Sequence, residues 1–141
     1  MRRNYLLLLA ASIAILGCKK EANITSEAKE KLQGKWEARH FIGDVDLDSI
    51  EANPLAGNGR ILEFRQQKYK WFARGRVADS GAFKLIKRQK EVRGEDYELF
   101  LVITSVIDPA LNWDSPIKLC NDKLQLAPDF DFSTWIYKKI G

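Results

Sequence analysis

The sequence predicts an all-β domain: an antiparallel up-and-down barrel of eight strands with a short N-terminal helix. A two-sheet β-sandwich is the alternative. Three observations carry this prediction. From Gly34 onward, apolar and polar residues alternate with period two in short runs. Turn residues separate the runs, and no long helical period interrupts them. Eight such runs leave exposed edges unless the sheet closes, and eight strands are enough to close it.

The elements follow in order. Residues 1–17 have a positive start at Arg2 and Arg3, an apolar run from Tyr5 to Leu16 and small Gly17. This is the layout of a secretory signal peptide. The run falls short of the ~20 apolar residues of a spanning helix, so a permanent membrane helix is the weaker reading. The ending "ILGC" at 15–18 resembles the lipobox of bacterial lipoproteins. That resemblance implies lipid transfer to the Cys18 thiol, cleavage after Gly17 and acylation of the new amino terminus. Two or more acyl chains anchor a protein stably, where one does so marginally. The other reading of Cys18, a disulfide with Cys120, requires an uncleaved leader packed on the domain. With lipid on Cys18, Cys120 is expected alone, as a small buried residue of the alternating run "IKLC".

Residues 18–31 read as a polar tether from the lipid. Within it, "SEAKEKL" can form a helix of two turns, capped by Thr25 or Ser26, with Leu32 as its apolar contact. The domain is placed at residues 32–141. "KWEARHFI" puts Trp36, Ala38, His40 and Ile42 on one face and Glu37 and Arg39 on the other. "RILEF" and "YKWFARG" flank a turn at "RQQK". "SGAFKLIKR" alternates Phe83 and Leu85 with Lys84 and Lys87. "YELFLVITSVI" is apolar on both faces, so its outer face needs the helix, a partner or water. "SPIKLC" and "KLQLA" flank Asn121 and Asp122, a two-residue hairpin signal, and "FSTWIYKKI" ends the chain. All four prolines are expected in loops.

"LQGKWEARHF" resembles the opening strand of lipocalin-like domains, with Gly34 and Trp36 on the Gly-x-Trp pattern. "DSGAFKL", "NDKLQL" and "WIYKK" resemble small lipocalin-like lipoproteins of Bacteroidetes. The resemblance spans roughly residues 32 to 140. It implies a barrel whose opening Trp packs at the closed end against a late basic residue, with Lys138 in that role. It also implies that the long connection Gly43–Gly59 covers the mouth, with Leu47, Ile50 and Leu55 closing it.

Composition narrows the function. The chain has 23 basic and 19 acidic residues, and without Arg2 and Arg3 the balance is 21 to 19. That is no polyanion-binding excess. "KYKWFARGR" interleaves aromatic and basic residues as single-strand nucleic-acid platforms do, but an anchored envelope protein has little access to nucleic acid. Asp44, Asp46 and Asp48 alternate, yet Ser49 and Leu55 stand where a calcium loop needs Gly and Glu. "DFDF" at 129–132 is weaker still as a metal signal. With one histidine, His40, and no nucleophile elbow, no enzyme, metal or other cofactor is expected.

The expectation is therefore a protein lipid-anchored to the outer membrane through Cys18, binding a small hydrophobic or amphipathic ligand. The alternative is a filled barrel acting as an interaction or structural module for an envelope protein partner. The candidate wall residues are Trp36, His40, Phe64, Trp71, Phe83 and Leu101, with His40 as a polar anchor for a ligand head group. Tyr69, Phe72, Tyr97, Phe100, Trp113, Trp135 and Tyr137 also lie on or beside strands, as core or as pocket lining.

Overall fold

Gly34 is where the chain turns from helix to strand. Its φ of +115° suits glycine, and a Cβ there would meet the Gly141 carbonyl oxygen at 2.1 Å. Before it runs α1 (Ile24–Leu32); after it, β1 (Gly34–Gly43). The computed structural model describes residues 24–43, 53–128 and 133–141. The sequence readings at Cys18, Asp44–Glu51, Leu47, Ile50 and 129–132 lie outside these residues.

Seven more strands follow: β2 (Ile61–Arg65), β3 (Lys68–Ala73), β4 (Arg76–Val92), β5 (Glu95–Ser105), β6 (Trp113–Cys120), β7 (Lys123–Leu126) and β8 (Ser133–Lys139). Each pairs antiparallel with the next, and β8 returns to β1, so the sheet is a closed eight-stranded barrel. Two-residue turns join β2 to β3, β4 to β5 and β6 to β7 at one end. In the middle turn both Arg93 (φ 51°) and Gly94 (φ 79°) are left-handed, as a tight hairpin requires.

The closed end lies on the same side as those turns. Leu32 and Ala28 of α1 join the core cluster with Trp36, Phe64, Phe83, Leu99, Leu101, Ile117 and Leu124. Trp36 donates Nε1–H to the Leu32 carbonyl at 2.7 Å. Gln33 caps the β2–β3 turn, accepting from Gln66 N (2.6 Å) and donating to Gln66 O (3.0 Å). The C-terminus zips onto β1 through Lys35 N to Gly141 O (2.6 Å) and Ile140 N to Lys35 O (2.8 Å). The basic residue over Trp36 is Lys139, not Lys138, with Nζ 5.4 Å from the ring. Strand register decides this: Trp36 faces Lys139, whereas Lys138 pairs with outward Glu37.

The two apolar faces of β5 are both used. Leu99, Leu101 and Ile103 fill the interior. On the outer face Phe100 lies under the Arg88 guanidinium, 4.8 Å from its ring. The β4–β5 tip bends across the outer wall. Glu95 accepts from Lys118 (3.1 Å) on β6 and Gln125 (2.9 Å) on β7, and Arg93 donates to Thr134 Oγ1 (3.1 Å) on β8. The hairpin thus buries Tyr97, whose hydroxyl accepts from Gln125 at 2.7 Å.

Two expectations need correction. Pro116 lies inside β6, buried, rather than in a loop. Its carbonyl accepts from Ala127 N at 3.1 Å, just past the end of β7, so the missing N–H falls where that ladder stops. Cys120 ends β6 half-buried and is disulfide-bonded, not a lone buried thiol.

Candidate functional site

The barrel is filled at its closed end and hollow at its mouth. Register explains which side chains meet there, because directly opposed residues share a face. Leu62, Trp71 and Asp79 are successive partners across β2, β3 and β4. Trp113 opposes buried Ile103. Trp135 sits between Leu126 on β7 and Phe41 on β1, its ring 4.6 Å from that of Phe41. All three indoles therefore point inward. They line a cavity of ≈ 970 Å³, with Tyr69 and Tyr137 towards the filled end. Arg60, Pro128 and the loop residues Ala110, Leu111 and Asn112 form its rim. Trp71 remains 41% exposed although it faces inward, because it borders the cavity.

One charged side chain in the wall is buried. Asp79 is 2% exposed. Its Oδ2 accepts from the Tyr69 hydroxyl at 2.6 Å, and its Oδ1 from Ser105 Oγ at 2.5 Å and Ser80 N at 2.8 Å. Gly81 makes this possible. It stands between Tyr69 and Ser105 in the strand register, so no side chain separates either from Asp79 two residues away. Burial pushes the Tyr69 phenol well above its ordinary pKa of 10.0, and the hydrogen bond to Asp79 and its negative charge add to the rise.

This network anchors the rim loop. Ser105 Oγ gives its proton to Asp79 and accepts from Ile107 N (3.1 Å) and Asp108 N (3.2 Å). A hydroxyl has one proton and two lone pairs, so these three bonds use the full hydrogen-bonding capacity of Ser105. The amides it accepts from begin the 106–112 rim loop. Asn112 Oδ1 ties the other end by accepting from Ser105 N at 2.7 Å.

Of the expected lid between β1 and β2, only residues 53–60 are described, with Leu55 the one lid residue among them. This part folds against the outside of β1. Buried Glu37 accepts from Gly57 N at 3.0 Å and pairs with Arg39 at 2.9 Å. Asn58 Nδ2 donates to the Ala38 carbonyl at 2.8 Å. Leu55 is 77% exposed and closes nothing.

Of the six candidate wall residues, Trp71 alone lines the cavity. Trp36, Phe64, Phe83 and Leu101 are buried in the filled half, with Phe64 and Phe83 edge to face at 5.0 Å. His40 is on the outer face with Ile136, and its Nδ1 meets Asn53 Oδ1 at 2.5 Å. The cause is a β-bulge at Arg39, between the pairs Ala38–Tyr137 and His40–Ile136, which reverses the alternation. Phe41 turns inward and Ile42 outward, 51% exposed, opposite to the simple pattern. Asp79 was legible only as a carboxylate ahead of "SGAFKL". Among the described residues, no group of three or more His, Cys, Asp or Glu is placed to hold a metal ion, and no helix is long and apolar enough to cross a membrane. No family model, curated protein or solved structure matches the chain.

Proposed function

We propose that the chain is a lipocalin-like, lipid-anchored protein of a bacterial outer membrane that binds a small apolar or amphipathic molecule in its barrel mouth. One observation carries the binding: the ≈ 970 Å³ cavity walled by Trp71, Trp113 and Trp135 above a filled floor. Ligand sites of this kind are concave, mostly apolar and about 300–1,000 Å³. Binding would be driven by burial of ligand apolar surface, at about 25 cal/mol per Å² before the costs of association. The residues that hold the ligand are the three indoles, Leu62, Leu126 and Tyr137. Asp79 and Ser105 hold the rim loop that frames it.

The anchor rests on the sequence of residues 1–18, with its basic start, apolar run and "ILGC" ending. Lys19 and Lys20 would then lie against anionic head groups. The chain has two cysteines, so the anchored form requires a Cys120 that is reduced or bonded to another chain, in place of the disulfide described above; the mass of the chain taken from its own membranes tests this.

The test of binding is native mass spectrometry of the barrel purified from its own organism. A co-purifying lipid, pigment or metabolite at one per chain supports the reading. A uniformly empty barrel that also refuses apolar probes overturns it. The exposed apolar residues Val106, Ile107 and Leu111 of the 106–112 loop favour a second reading, in which this loop docks an envelope protein.

A further inference from the structure

We propose that the mouth cavity prefers an organic cation, an ammonium group on an apolar body, over neutral or anionic molecules of the same shape. This deepens the binding reading above and rests on it. Three observations carry it.

The first is Asp79. Its three hydrogen-bond donors are a phenol, a hydroxyl and a backbone amide, none of them charged. Among the described residues no Lys, Arg or His forms an ion pair with it, so its negative charge is buried and uncompensated in the cavity wall. Polar donors stabilise such a charge, but an added cation nearby stabilises it further, and most strongly away from water.

The second is the wall itself. Three indoles line the cavity, and indole is the ring that best attracts a cation. The third is that one of these faces already holds a cation. The Arg60 guanidinium lies 5.8 Å from the centre of the Trp135 ring. Arg60 is exposed, so water screens its repulsion of a ligand and lets its side chain swing aside. The remaining lining charge, Asp114, is exposed and reaches Arg88 at 3.7 Å. The buried charge of the wall is therefore that of Asp79 alone, and the exposed charges around it are screened by water.

The test compares decyltrimethylammonium, decanol and decanoate, each kept monomeric, by tryptophan fluorescence and calorimetry on the purified chain. Decyltrimethylammonium should bind roughly tenfold tighter than decanol, and decanoate weaker than both. Asp79→Asn should bring the ratio of ammonium to decanol affinity down to about one, whatever it does to the affinity of decanol itself. If Asp79→Asn does not fold, Trp71→Leu at the half-exposed wall takes its place and should reduce the ammonium preference several-fold. Equal affinities for ammonium and decanol overturn the proposal, as does tightest binding of decanoate that is lost in Arg60→Ala. Binding of decanol without selectivity overturns the cation preference alone. Silence of all three probes overturns the binding reading with it.

Discussion

The Tyr69 hydroxyl donates to Asp79 Oδ2 at 2.6 Å inside the barrel, where Asp79 is 2% exposed. One strand position thereby joins the filled floor to the hollow mouth. Tyr69→Phe should cost about 1.5–3 kcal/mol, the range for a hydrogen bond to a charged group. Denaturant midpoints measure this. The pH dependence has a defined sign. The folded phenol has the higher pKa, so its contribution is whole below about 10, the ordinary tyrosine value. It is lost as pH rises further, because the unfolded chain ionises first. Tyr69 should therefore give its phenolate absorbance only as the barrel unfolds, and Tyr69→Phe should reduce that late step by one tyrosine, leaving the share of Tyr97, whose phenol burial also pushes up.

Trp36 and Trp71 should separate stability from binding. Trp36 is fully buried and tied to Leu32, so Trp36→Ala should cost about 3–5 kcal/mol, read by thermal or denaturant unfolding. Trp71→Leu borders the cavity and should cost about 1 kcal/mol or less, while weakening an apolar ligand several-fold. Equal stability losses at the two positions would contradict a hollow mouth.

Glu37→Ala should release the 53–60 segment from the outside of β1. The change removes the acceptor of Gly57 N and the partner of Arg39, at a cost of about 1–3 kcal/mol. Faster hydrogen exchange at the Gly57 amide, with β3 to β6 unchanged, is the expected result.

The β4–β5 tip should loosen in acid. Lys118, opposed in part by desolvation and helped by Gln125, holds the Glu95 carboxyl below its ordinary pKa. Its contribution is therefore whole above the usual glutamate range, near pH 4.3, and is lost as pH falls through the lower folded value. Glu95 is largely exposed, so the effect is small and salt-sensitive. Exchange at the Gly94 amide should rise with acid in the wild type and be pH-independent in Glu95→Gln, once intrinsic rates are removed.

The barrel was legible in the sequence because period-two runs and turn residues are local signals. The Asn121–Asp122 turn and the "RQQK" turn fall at the observed hairpins. The cavity was not, because bulges carry no local signature. The extra residue at Arg39 moves His40 outward and Phe41 inward, and a register shift between Trp71 and Phe72 seats Asp79 beside Trp71. Asp79 also draws its partners from positions 69 and 105, a relation that exists only once β3, β4 and β5 have paired. Lys139 rather than Lys138 reaches Trp36 for the same reason: a one-residue change of register exchanges the faces of a strand.

The measurement that bears most directly on the hollow mouth uses N-phenyl-1-naphthylamine, an apolar dye uncharged at neutral pH, on the wild type and on Ala73→Trp. Ala73 lines the cavity, so a tryptophan there fills the space without touching the packed floor. The wild type should bind one dye per chain with a rise in dye fluorescence, and Ala73→Trp should bind at least tenfold more weakly at unchanged thermal stability. Equal binding by the two proteins, or no binding by the wild type, would contradict a ligand site in the barrel mouth.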